Sequence, residues 1–223
     1  MWNLPPSMGK QNCMLGLFIR PETYGQVTNL LEEMLRAKEV SNRALIQRLN
    51  AAGVALDYEK IKEQSEGYVN RAVIGAEMVR CGYVASVKDA FKEYLSESKG
   101  FYVPPQRLDA CDAIRFIKSI GGASVLAHPF LNLKEDALRE FLPQAVAAGL
   151  DGMEVYYSKF SPEETALAQQ MAAEFRLLPS GGSDYHGENK PDIFLGVGRG
   201  SLRVPMDFLE ALRERAMAPK NYE

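Results

Sequence analysis

The chain has 223 residues, 46% of them hydrophobic, which is enough to bury a substantial core in one domain or one domain with an appendage. A net charge of −3 and a pI near 5.6 exclude a general binder of long duplexes or anionic membrane surfaces, although a local basic pocket for a small anion is compatible with them. Cys13, Cys81 and Cys111 form no CxxC pair, so a zinc ribbon, a redox motif and a disulfide framework are all disfavoured, and a reducing cytoplasm is the expected setting.

The opening segment, MWNLPPSMGKQNCMLGLFIR, is a poor signal peptide: it lacks an early basic region, and its apolar stretch is short and interrupted by Gly16. No apolar run approaches bilayer-spanning length. Residues 13–19, CMLGLFI, read as a short buried strand. Apolar residues then recur at helical spacing (Val27, Leu30, Leu31, Met34, Leu35, then Leu45, Ile46, Leu49), with Gly53 as a C-cap. Three shorter helices follow at 57–65, 71–81 and 86–96, the last with Ser86 as N-cap. Residues 22–98 thus form a nearly all-helical block.

After YVPP the pattern changes. A helix over 107–119 ends at Gly121-Gly122, and the strand ASVLA runs into His128-Pro129. A helix over 134–148 ends at Gly149, and GMEVYY is the next strand. The helix over 162–174 begins with Pro162 and two acids, as the helix dipole prefers, and RLLPSGG leads into Asp184-Tyr185-His186. Strands alternating with such helices imply right-handed βαβ units on a parallel sheet, whose chemistry lies at the C-terminal strand ends.

Both histidines of the chain, His128 and His186, fall at such ends. Asp184 and His186 are two residues apart, so in an extended segment their side chains share one face, with Cα atoms roughly 7 Å apart. Histidine with carboxylate suits Mn, Fe or Zn, and Gly181 and Gly182 let the backbone pass close to a ligand. A lone D-x-H is a weak signal, however, and a histidine after a strand is often only a hydrogen-bonded structural residue. Glu154 lies in its strand near the same rim, where a partly buried structural carboxyl is the simpler reading. Cys13, opening an apolar strand, is by pattern a small core residue.

Three segments, NRAVIGAEMVRCGYVASVKDAFKEYLSESKGFYVP, GGASVLAHPF and AAGLDGMEVYYSKFSPEETALAQQMAAEFRLLPSGGSDYHG, resemble the PHP (polymerase and histidinol phosphatase) family. Within it they resemble bacterial metal-dependent phosphoesterases, a branch that includes nucleoside bisphosphate and short-RNA-processing hydrolases. The likeness runs from about residue 13 to about residue 200, and AHP, G-x-E-x-Y and G-S-D-x-H occur in the family's order. It implies an α/β fold: a partial, distorted (β/α)7 barrel from residues 1–21 and 105–223, holding two or three metal ions. Residues 22–104 would be an inserted all-helical subdomain covering the active site. His128, Asp184 and His186 occupy family metal-ligand positions. Arg71 and Lys99 match basic residues that contact a substrate phosphate, for which a guanidinium fork and a mobile ammonium are both suited.

The chain departs from the family in three places. The opening H-x-H strand, with the Asp, His and Glu that follow it, is absent; Cys13 stands where a metal-ligating His is usual; and Val73 replaces the His of an Arg-Pro-His motif. A thiolate can ligate Zn or Fe, so Cys13 keeps a place in the metal set, whereas valine neither ligates nor moves a proton. Two expectations follow. One is a metal-dependent phosphoesterase of nucleotides or short oligonucleotides, present as an N-terminally incomplete copy. The other is an inactive remnant that binds phosphate, nucleotide or a partner, with a partly filled metal cluster and a homodimer built on unpaired strand edges.

Overall fold

A computed structural model describes residues 2–3, 13–65, 69–105 and 108–218 of the chain. In chain order the elements are β1 (Trp2–Asn3), β2 (Cys13–Leu17), a 3-10 turn (Pro21–Thr23), α1 (Tyr24–Ala51), α2 (Tyr58–Gln64) and α3 (Arg71–Arg80). Next come α4 (Val87–Ala90), running into a π-helical turn (Phe91–Leu95), a 3-10 turn (Glu97–Lys99), α5 (Ala110–Ser119), β3 (Ala123–Ala127) and the single turn α6 (Pro129–Asn132). The chain continues through α7 (Glu135–Ala147), β4 (Gly152–Tyr157), α8 (Pro162–Glu174), β5 (Leu178–Gly182), a 3-10 turn (Gly187–Asn189) and α9 (Met206–Met217). It divides into two units, Met1–Gln26 with Arg107–Glu223, and Val27–Gln106.

The first unit is a mixed α/β fold on one sheet of order β1-β2-β3-β4-β5. β3, β4 and β5 are parallel neighbours, as alternating strands and helices require. β2 runs antiparallel to β3, a direction that the βαβ pattern does not predict. The crossover rule binds strands joined by one helix, and β2 and β3 are separated by the whole second unit. The antiparallel register puts Cys13 opposite Ala127, so the start of β2 lies beside the end of β3.

β3 is buried along its full length, and alternate residues serve two apolar layers. Leu126, Met153 and Val155 pack with Ile114, Ile117, Leu138, Leu142 and Met171 from α5, α7 and α8. Ala123 and Val125 pack with Leu212 and Ala216 of α9. Local chemistry fixes the helix starts: Asp109 caps α5, and Ser161 and Glu164 form a reciprocal capping box on α8. The helix expected over 107–119 therefore begins at Ala110, and residues 106–107 lie outside the described residues. α6 and α9 are not anticipated by the sequence pattern.

In the second unit the distal half of α1 supplies Leu45, Ile46 and Leu49 to a core with Ile61, Ile74, Met78, Leu95 and Tyr102. Gly75 lets α3 approach closely, since a Cβ there would lie 3.2 Å from Val87 and Leu95. The helix expected over 86–96 widens instead from Phe91: the Ser96 N–H reaches back five residues to the Phe91 carbonyl, and the Ser96 hydroxyl donates to the same oxygen. The apolar stripe in the first half of α1 is not core, for Leu31 and Leu35 are 43% and 53% exposed. Among the described residues no helix is long and apolar enough to cross a membrane.

Candidate functional site

The rim of the first unit at the C-terminal ends of β3, β4 and β5 gathers the candidate residues. His128 follows β3 with φ 32° and Asp184 follows β5 with φ 58°, both in the left-handed region that non-glycine residues rarely adopt. Such strain persists only where surrounding contacts impose it, and it clusters at working sites. At His128 the imposing contact is Glu154, a 5% exposed strand residue whose Oε2 accepts the His128 backbone N–H at 2.6 Å. Burial pushes the Glu154 carboxyl up to about 7, against the lowering effect of that hydrogen bond. Gly182 makes room for it, because a Cβ there would come 2.6 Å from Glu154 Oε1.

Asp184 is held from two sides. Its Oδ2 accepts the Tyr157 hydroxyl at 2.7 Å and the Lys190 ammonium at 2.5 Å. Burial drives this carboxyl upwards, but the bonds from Lys190 and Tyr157 outweigh it and hold the pKa below the usual carboxylate range. The Tyr157 ring lies 5.4 Å from the His128 ring, which joins the two strand ends. Burial lowers the pKa of His128, favouring the neutral imidazole, while the Asp184 charge works the other way. Two buried polar atoms are without any hydrogen-bond partner among the described residues, His128 Nδ1 and Asp184 Oδ1. Leaving such groups unmet is costly, so each calls for an explanation, such as strain, a water or a bound ion.

His186 is less committed. Its Nδ1 lies 2.8 Å from the Asp184 carbonyl oxygen and 3.4 Å from Asp184 Oδ1, and its side chain is 38% exposed. Cys13 is buried opposite Ala127, and burial raises its thiol to about 11, with the charges of Glu154 and Asp184 adding to the rise. Burial thus favours the thiol over the thiolate in the absence of an ion. Among the described residues no three His, Cys, Asp or Glu side chains form a group arranged to hold a metal ion. The vacant nitrogen and oxygen have the donor types for a divalent transition ion, and they fit it as part of a larger ligand set. A cavity of about 470 Å³ opens on His128, Glu154 and Asp184, with Leu15, Val204 and Phe208 on its apolar wall.

The structure thus places His128, Asp184, His186 and Cys13 at one rim, while Arg71 and Lys99 belong to the second unit. There Arg71 donates to the Leu95 carbonyl at 3.1 Å and stacks over the Tyr102 ring at 4.1 Å, which gives it work inside the helical core. Lys99 closes the exposed 3-10 turn Glu97–Lys99. Sequence reasoning missed Tyr157 and Lys190 and passed over Glu154 as structural. A charged residue within the apolar strand GMEVYY, and its place in the G-x-E-x-Y motif, were signals for Glu154; nothing in the sequence pointed to Lys190.

No family model matches the chain. It is 30% identical over 166 residues to the 5'-3' exoribonuclease of Haemophilus influenzae, covering 74% of this chain and 61% of that one. It is 38% identical over 98 residues to the phosphoribosyl 1,2-cyclic phosphate 1,2-diphosphodiesterase of Eggerthella lenta, covering 44% and 34%. The chain spans about three fifths of the length of the curated exoribonuclease it matches. In structure it is similar to a Bifidobacterium adolescentis protein assigned as a metal-dependent phosphoesterase, with a TM-score of 0.64 at 24% identity, covering 94% of this chain and 73% of that one. The rim of His128, Glu154 and Asp184 thus sits on the mixed α/β fold of that protein, in a chain similar in sequence to enzymes named for cleaving phosphate esters.

Proposed function

We propose that the chain is a PHP-type, metal-dependent phosphoesterase acting on a nucleotide or short oligonucleotide, with residues 22–104 inserted into a partial (β/α)7 barrel. The observation that carries the reading is the pair of buried atoms without a hydrogen-bond partner among the described residues, His128 Nδ1 and Asp184 Oδ1, on two strained residues at the ends of β3 and β5, on either side of β4. The parallel strands β3–β5, with helices between them, support the barrel. His128 and Asp184 would hold Mn, Fe or Zn, with His186 beside them. The chemistry such an ion supplies is Lewis-acid withdrawal of the charge that develops on a phosphoryl oxygen. The chain's own groups prepare for it. Burial favours the neutral form of the His128 imidazole, Glu154 fixes the backbone that aims it, and bonds from Tyr157 and Lys190 favour the ionised form of Asp184 and orient it.

Arg71 and Lys99 keep their assignment to a substrate phosphate as part of this proposal, and so do a cytoplasmic setting and a homodimer. Three free cysteines support the setting, and β5 at the end of the sheet order supports a partner edge. The alternative of an inactive remnant finds no support among the relatives. The test is hydrolysis of a broad panel of phosphate mono- and diesters by the chain supplied with Mn, Fe or Zn. Turnover is expected, with a loss of at least about a hundredfold in Asp184→Asn, in the range that removal of a charge-stabilising group produces. Absence of turnover across the panel with every metal overturns the reading.

A further inference from the structure

A second cavity of the first unit, about 400 Å³, lies behind Tyr157 and is not used by the proposed chemistry. Its lining includes Arg199, Arg203, Ser158, Ser201 and Thr165, and among the described residues no carboxylate lines it. Two guanidinium groups and three hydroxyls thus line one space. Arg199 spends Nη2 and Nε on Asp192, at 2.8 and 3.3 Å, which leaves its Nη1 without a partner among the described residues. Arg203 uses only Nη1, on the Leu202 and Gly200 carbonyls. Nη1 of Arg199 and the Nε/Nη2 side of Arg203 therefore remain for a ligand, and such N–H donors suit an oxyanion such as a phosphate.

The cavity is built on backbone that close packing fixes. Gly198, at φ 59°, presses against Ser158 where a Cβ would collide with its hydroxyl, and this sets Arg199 at the cavity wall. Ser158 in turn donates to the Ser183 carbonyl at 2.7 Å, next to Asp184, and Tyr157 lines the cavity while bonding Asp184. Two lining residues of the cavity thus also hold the segment that carries Asp184.

We infer that Arg199 and Arg203 form an anion subsite that binds a phosphate group, distinct from the vacant atoms of His128 and Asp184. The inference goes beyond the hydrolytic reading and stands without turnover. Its test is a titration of the full chain, stripped of metal with a chelator, with inorganic phosphate and separately with adenosine 5'-monophosphate, followed by phosphorus NMR. The variant R199Q/R203Q is expected to raise the apparent Kd about tenfold or more, the scale of losing charge-assisted bonds to an exposed anion. Arg203→Lys, which keeps the charge and loses the fork, should fall between; both arginines are exposed, so these variants leave the core intact. His186→Gln should bind as the wild type does while losing the hydrolysis proposed above, so failure of either idea is read separately. Tighter, arginine-dependent binding of the nucleotide assigns the site to a nucleotide phosphate, and equal binding assigns it to the free oxyanion. Wild-type affinity in R199Q/R203Q overturns the inference.

Discussion

His128 and Asp184 hold backbone angles that cost of order 1–3 kcal/mol each in a non-glycine residue, so something must compensate. For His128 the visible compensation is one carboxylate oxygen of Glu154 on a buried N–H. That contact separates two substitutions of similar size. Glu154→Gln keeps an oxygen able to accept the bond and removes the burden of a buried carboxyl whose pKa is driven up to about 7. Glu154→Ala leaves the N–H unmet and opens a void, and should cost about 1–3 kcal/mol from the lost acceptor alone. Denaturant unfolding at neutral pH checks this: the glutamine variant should stay within about 1 kcal/mol of wild type and the alanine variant should not. Equal losses in both would mean that the carboxylate charge, not the acceptor, holds His128 in place.

Within α3 the same logic has a pH signature. Glu77 is 9% exposed and pairs with Arg80 one turn on, and the hydrogen bond from Arg80 holds its carboxyl below the ordinary value of 4.5. A depressed carboxyl stabilises the fold above its unfolded pKa, and that contribution is lost as pH falls through the folded value. Acid unfolding followed by circular dichroism should therefore show Glu77→Gln less stable than wild type at pH 6 and equal to it at the acid end. A constant gap across the range would leave the ion pair no role. Elements with such local signals were legible in the sequence: β3 and β4, and α8 with its capping box, have the expected bounds. The direction of β2 was not, because pairing depends on residues far away in the chain. α9 escaped notice because its buried positions, Leu212 and Ala216, are outnumbered by exposed Met206, Leu209 and Met217. At the site, His128 and the Asp184/His186 pair could be read as polar residues closing apolar runs. Lys190 could not, since only the left-handed turn at Asp184 and the loop beyond it return its ammonium to that carboxylate.

Each unit has a main apolar core of its own. Leu138 belongs to the core of the first unit and Leu49 to that of the second, and both are fully buried. The rim residues His128, Glu154, Asp184 and His186 and the arginine cavity lie in the first unit, whereas Arg71 belongs to the second, where it meets Leu95 and Tyr102. Chains with more than one core commonly depart from two-state unfolding, and each core then sets its own transition. Truncating a buried leucine to alanine costs about 2–5 kcal/mol, and a unit of 60–100 residues loses about 4–8 °C in Tm for each kcal/mol. Calorimetry should resolve two transitions, with Leu49→Ala lowering one by about 10 °C or more and Leu138→Ala lowering the other. Phosphate titration of Leu49→Ala at a temperature below both transitions should match wild type, because its damage is confined to the core that carries no part of the cavity. A single transition shifted equally by both substitutions would show instead that the chain unfolds as one cooperative body.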